Sequence, residues 1–302
     1  MRGIGRIGSF GVALVLTANS FGTMVLSAMM RPQVGLVTQS NLLIWDPATK
    51  TEHLIQSSSF VSEARKFDFL VPTPSIPRVR EVGDAPLGFV TSLINPPRPP
   101  RPAPIPEPET DLGPSIGIVI REGVEVKQVV LVGNLKATTI RASDVIALSD
   151  WMAKNGYIAS QSQNQWLEKY VQKRWYLTAF QVNSESDALR TSAVRLTFKT
   201  DVPVLPYTSP QNSWISGIKQ EMFLVSPVPL QGTVGGKSLW GGKLVGHTFL
   251  SKASTPKFAK GLGLAEKEIP ALSWTNRYLD ESPVDGATDD LYFFPVPKGI
   301  KK

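Results

Sequence analysis

VEVKQVVLVGNLKATTIRASDVIALSDWMAKNGY, residues 124–157, decides the fold. Its first half, 124–140, is dense in Val, Ile and Thr and is broken once, at Gly133-Asn134. A Gly-Asn pair between two β-rich runs marks a turn or hairpin. At Ser143 the period changes. Ser143 is placed to cap a helix, because a hydroxyl oxygen accepts one of the orphan N–H groups of a first turn. Val145, Leu148, Trp151 and Met152 then recur at helical spacing, which gives one apolar face. Asn155-Gly156 ends the run, since Gly tolerates the left-handed conformation of a C-terminal cap.

Downstream, residues 162–173 read as a second helix with Trp166, Leu167, Tyr170 and Val171 as its buried stripe. Lys169, Lys173 and Arg174 fall late in it, where cations complement the helix dipole. Residues 175–182 (WYLTAFQV) read as a buried strand. Residues 193–199 alternate, with Val194, Leu196 and Phe198 on one side and Arg195, Thr197 and Lys199 on the other. That pattern predicts a strand with one solvated face.

These elements carry a resemblance. The strand Val129 to Val132 with Gly133, the step Thr139-Ile140-Arg141-Ala142-Ser143, and the helix end Asp150-Trp151-Met152-Ala153-Lys154-Asn155-Gly156-Tyr157 match it. So do Phe67-Asp68-Phe69-Leu70-Val71-Pro72-Thr73-Pro74 and Thr200-Asp201-Val202-Pro203-Val204-Leu205-Pro206-Tyr207 with Pro210. In order and spacing the chain resembles the bacterial family catalogued as domain of unknown function 2330, over roughly residues 35 to 215. The resemblance implies a secreted or membrane-anchored protein of no assigned activity, and it carries over no catalytic residue. Many members have cysteines near the middle of the domain; this chain has none.

Working upstream, residues 34–45 and 53–60 read as a hairpin turning at Asp46-Pro47-Ala48-Thr49-Lys50, with Asp and Pro where turns want them. Residues 66–71 form a third strand, halted by Pro72, Pro74 and Pro77, so an edge is expected. Arg2 and Arg6 precede an uncharged stretch that lasts to Arg31. It fits a signal peptide cut near Ser27-Ala28-Met29-Met30, or an uncleaved anchor spanning residues 7–28. Nine prolines lie between Pro96 and Pro114. Residues 95–114 are therefore expected to be an extended, exposed linker that interrupts one domain.

Composition excludes several functions. With no cysteine among 302 residues, thiol catalysis, disulfides and thiolate metal sites are impossible. The net charge of +7 comes from scattered Lys and Arg with no basic stripe, so no nucleic-acid partner is expected. There are two histidines, His53 and His247, and no nucleophile elbow, so no Ser-His-Asp triad is expected. Gly232-Thr233-Val234-Gly235-Gly236-Lys237-Ser238 comes near a phosphate-binding loop, but Gln231 stands where the first glycine belongs. It reads as a hairpin or loop. Gly261-Leu262-Gly263 reads as a turn. Asp280, Glu281, Asp285, Asp289 and Asp290 read as a solvated acidic turn without calcium-loop spacing.

Trp45, Trp214, Trp240 and Trp274 are the candidate ligand-binding residues, as an aromatic platform for peptide or glycan. No metal and no cofactor are expected. The fold expected is α+β: a mostly antiparallel sheet covered by the helix pair 143–155 and 162–173, with the proline-rich linker 95–114 and a loop-rich extension or small second lobe over 216–302. The expected role is a non-catalytic extracytoplasmic binding or assembly protein of the bacterial cell envelope, partnered by an envelope protein or cell-wall polymer, with membrane association through residues 7–28 if that segment is uncleaved. The alternatives are an envelope hydrolase with a carboxylate site, or an anchored subunit of a larger membrane complex.

Overall fold

The computed structural model describes residues 24–27, 34–62, 66–83, 85–95, 119–121, 123–133, 135–157, 159–183, 188–208, 210, 219–270, 272–280 and 289–296. The chain begins there with β1 (Met24–Ser27), β2 (Val34–Asp46), β3 (Thr51–Ser62), β4 (Lys66–Thr73), β5 (Arg78–Glu81) and α1 (Ala85–Ile94). It continues with β6 (Val119–Arg121), β7 (Val124–Val132), β8 (Leu135–Ala142), α2 (Val145–Lys154), α3 (Gln161–Gln172), β9 (Tyr176–Asn183), β10 (Ala188–Arg190), β11 (Val194–Lys199) and β12 (Val204–Leu205). Then come β13 (Lys219–Ser226), β14 (Leu230–Val234), β15 (Ser238–Leu239), β16 (Lys243–Leu250), α4 (Thr255–Gly261), β17 (Ser273–Asp280) and β18 (Leu291–Pro295). The described residues are α+β in the broad sense, strand-rich with four helices.

Local chemistry explains the boundaries. The β2–β3 turn is held by Asp46, whose carboxylate accepts from Ala48 N at 2.9 Å and from Thr49 Oγ1 at 2.7 Å. Gly133, at φ +60, turns β7 into β8. The cap of α2 is Asp144, one residue later than expected, accepting from Ala147 N at 2.8 Å. Ser143 instead donates to Asp144 Oδ2 and to Gly123 O. Ser160 and Gln163 form a reciprocal capping box at the start of α3.

The described strands assemble into three sheets, not one. The order β1-β4-β9-β8-β7-β6 makes the first, and β16-β17-β13-β2-β3-β11-β5 the second, with β10 also on β3. The third is β12-β18-β14-β15. The first two face each other across one apolar cluster that includes Phe67, Phe69 and Phe180 from one side and Leu43, Leu54, Leu196 and Met222 from the other. The small sheet contributes Val204, Leu230, Leu291 and Phe293 to that cluster. The outer face of the first sheet shares a cluster with Leu148, Met152, Trp166, Leu167 and Tyr170 of α2 and α3. The outer face of the second shares one with Leu87 and Val90 of α1 and Phe258 and Ala259 of α4. Apolar clusters thus tie helices to each of the two larger sheets.

Three expectations are corrected. β4 runs on through Pro72 to Thr73 and lies between β1 and β9, not at an edge. Residues 219–296 are strand-rich, and β13 lies between β2 and β17 in the middle of the second sheet, so this part is neither a loop-rich tail nor a separate lobe. Arg195 is not on a solvated face: it is buried, donating to Leu262 O at 3.3 Å and Gly263 O at 2.7 Å. Its face of β11 lies toward the end of α4. Of the expected export segment, only Met24–Ser27 is described, as a strand on β4. Residues 96–114 of the proline-rich stretch and Trp214 lie outside the described residues.

Candidate functional site

β17 is read best by its alternation. Trp274, Asn276, Tyr278 and Asp280 point to one side and Ser273, Thr275, Arg277 and Leu279 to the other. The first set lies on the face that elsewhere meets the opposite sheet. Here β16 ends the second sheet, and that face comes into the open. Phe249 stands opposite Trp274 and Leu244 opposite Tyr278. The Phe249 and Trp274 rings meet edge-on at 5.2 Å. Phe249 is 47% exposed, Leu244 49% and Trp274 38%, a concentration of exposed large apolar side chains that single surface residues do not make.

Trp240 extends the strip inward. Its ring is tilted on Tyr278 at 5.2 Å and edge-on to Phe293 at 6.1 Å. A Cβ at Gly242 would stand 2.2 Å from the indole, so only glycine lets the chain pass there. The Trp240 indole donates to Asp280 Oδ2 at 2.8 Å. β16 is backed from behind: a Cβ at Gly246 would meet Ile94 Cγ2 of α1 at 2.6 Å. The surface is thus fixed on both strands before anything binds it.

Asp280 is buried and also accepts from the Tyr207 hydroxyl at 2.5 Å. Burial, and then the hydrogen bond to Asp280, hold that phenol well above its ordinary range. Tyr207 N donates to Asp290 Oδ1 at 3.1 Å, so one tyrosine spans both buried acids. Asp290 is fully buried. It accepts from Tyr170 Oη at 2.6 Å and Lys173 Nζ at 2.9 Å. Lys173 also reaches Asp289 at 3.0 Å and lies over the rings of Tyr170, Trp175 and Tyr292 at 5.8, 5.2 and 5.7 Å. Burial pulls its ammonium down, but Asp290 and Asp289 outweigh that and hold it above the usual range. The expected solvated acidic turn is corrected at this point: Asp290 is core, and its cation is the chain's own lysine.

Two amides add to the buried polar chemistry. Asn41 and Gln220 project from neighbouring strands β2 and β13 into the space between the sheets. Neither side chain finds a partner among the described residues. A second concavity, about 680 Å³, opens between the start of α2 and the end of α3 and carries Arg141, Arg174, Glu125 and Glu168. No group of three His, Asp or Glu side chains able to hold a metal ion occurs among the described residues.

The four tryptophans therefore divide. Trp240 and Trp274 belong to one strip through Tyr278. Trp45 is buried in the central core and cannot join a surface platform. Phe249, Tyr278 and Leu244 were not expected. The signal for Tyr278 was present as the two-residue alternation in SWTNRYLD, residues 273–280. His53 is buried, with Nδ1 2.9 Å from Thr197 Oγ1. Burial, and then nearby Arg195, push it down to about 4, so it is a neutral structural residue at neutral pH. His247 is exposed on β16. The Gly-rich run makes the β14–β15 hairpin, with Gly235 and Gly236 at positive φ in its turn.

No curated protein and no solved structure matches the chain. One family model does, that of an uncharacterized protein conserved in bacteria (DUF2330), over residues 16–210. The matched span holds β1 to β12 and most of the central core, including Tyr207, the residue that meets both buried acids. It covers well over half of the sequence, and the chain belongs to that family.

Proposed function

We propose that this is a non-catalytic binding or assembly protein of the bacterial cell envelope, and that the β16–β17 strip is its binding surface. The occupant is an extended polypeptide segment of an envelope protein, added as a further strand along β16. One observation carries this: β16 is an eight-residue edge strand with Leu244, Val245 and Phe249 exposed along it and Phe249 packed on Trp274. Edges of this length and apolarity are normally blunted or covered. Strand addition supplies main-chain hydrogen bonds, and the Phe249–Trp274 step supplies side-chain grip. Lys243 at the start of β16 and Lys252 just after it are both exposed and favour a segment with acidic residues at its ends.

Arg2 and Arg6 followed by an uncharged N-terminal run, and the proline-rich composition of residues 95–114, support an extracytoplasmic setting. No helix among the described residues is long and apolar enough to cross a membrane. A hydrolase reading would be favoured by two carboxylates facing one another in a cleft. Asp280 and Asp290 are instead enclosed and engaged by donors of the fold, which supports binding over catalysis.

The test uses the purified chain and a synthetic peptide of alternating Val and Thr with glutamates at both ends. Saturable binding, weakened at least tenfold by Trp274→Ala and by Val245→Lys, supports the reading. A photo-crosslinker at position 247 in cells should then capture the same envelope protein, and lose it in the same variants. Crosslinks only to a second copy of the chain, or tryptophan-dependent binding of soluble glycan strands without peptide binding, would overturn it.

A further inference from the structure

The export reading puts a processing site at residues 27–30, yet the structure uses the residues just before it. Met24–Ser27 is β1, and it pairs with β4 at every position, from Met24 opposite Leu70 to Ser27 opposite Phe67. Met24 is fully buried. It sits in the helix-side cluster with Leu70, Tyr157 and Leu177. A cut at 27–30 would remove this strand, bare the β4 edge and leave a methionine-sized hole in the core. The family match begins at residue 16, so β1 lies inside the region the family shares. If the chain is processed and β1 is kept, the cut lies upstream of Met24.

The sequence upstream offers such a site. After Arg2 and Arg6, the uncharged run from Ile7 to Thr17 has the length of a signal-peptide core. Ala18-Asn19-Ser20 follows, with small residues at the two positions that signal peptidases read, third and first before the cut. We infer that the chain is processed between Ser20 and Phe21. The mature chain then begins Phe21-Gly22-Thr23, three residues ahead of β1. Peptidase-catalysed hydrolysis of the Ser20–Phe21 amide consumes one water and leaves a carboxyl on Ser20 and an amine on Phe21.

This rests on the export reading, and the experiment separates the two. The full chain carries a C-terminal tag and is expressed in a bacterium. The tagged product of the envelope fraction is measured by intact mass and by sequencing its N-terminal peptide. A product that starts at Phe21, lost in Ser20→Trp and unchanged in Ala28→Trp, supports the inference. A start between Ala28 and Arg31 overturns the inference and leaves export standing. A chain intact from Met1 in the envelope overturns it in favour of an anchor. A chain intact from Met1 in the cytoplasm overturns both.

Discussion

His53 should give the fold a pH-dependent weakness that one substitution removes. Its ring is 2% exposed and in contact with Thr197. Burial is the main reason its pKa falls to about 4, with Arg195 adding to it. An unfolded histidine titrates near 6.5. The folded value is the lower one, so between the two the unfolded chain binds more protons. Stability is full above about pH 6.5 and drains as pH falls toward 4. From pH 7.5 to pH 5 the loss comes to about 2 kcal/mol for this one group. His53→Gln keeps a polar partner for Thr197 and removes the titration. Urea unfolding of both proteins at pH 7.5, 6, 5 and 4.5 isolates His53 together with its coupling to Glu268, because carboxylates that do not interact with His53 cancel in the difference. The variant should be less stable than, or equal to, the parent at pH 7.5 and gain on it by about 2 kcal/mol at pH 5. Parallel curves would refute the assignment of a buried neutral imidazole.

Glu52 should act in the opposite sense. It is fully buried, accepts from Val204 N at 2.9 Å, and burial pushes its carboxyl well above the usual range. The stability it contributes is present at acid pH and lost as pH rises above the unfolded value. Glu52→Gln should therefore match the parent near pH 4 and exceed it in thermal midpoint at pH 8. A variant weaker than the parent at pH 8 would contradict this. Asp290→Ala strands the Tyr170 hydroxyl and Tyr207 N and takes one of two carboxylates from Lys173, and should cost about 3 kcal/mol by urea unfolding, the low end for a broken buried pair. The low end applies because Lys173 keeps Asp289 and is 26% exposed; a cost below about 1 kcal/mol would mean that the node is ornamental. Ending the chain at residue 210 removes β13 and with it Met222, Phe223, Leu224 and Val225, all buried. Despite containing the whole family match, that fragment should show no cooperative unfolding by calorimetry.

What the sequence made legible was local. The β2–β3 hairpin, the Gly133 turn, α2 and α3 all follow from caps, turn residues and periods within a dozen positions. What it hid was tertiary. Val194 to Lys199 reads as a strand with one wet face, because nothing nearby says that the carbonyls of Leu262 and Gly263 will receive Arg195. Residues 85–94 (APLGFVTSLI) are a short apolar run that strand or helix could claim, and they become α1. The tail reads as loop-like from its glycine content, although Gly235 and Gly236 serve a single hairpin turn. Of the site, tryptophan content pointed to Trp240 and Trp274 but also to Trp45. Only the sheet order shows which of them reaches an open edge. Asp290 gave no sign in its own neighbourhood that Lys173, on a helix far back in the chain, would neutralise it.

The parallel seam between β2 and β13 has a consequence in time. Thr38 pairs with Lys219, and Ser40 reaches Glu221 across 181 positions of sequence. The strand that separates β2 from β17 is thus made long after β2 itself. At bacterial synthesis speeds of 5–20 residues per second, roughly ten to forty seconds pass between the two. For that interval β2 has β3 on one edge and nothing on the other, and the nascent chain is a half-built sheet with one open edge. It should depend on a holding chaperone or a translocation channel for safe passage, and its refolding in a test tube should be slow and sensitive to protein concentration.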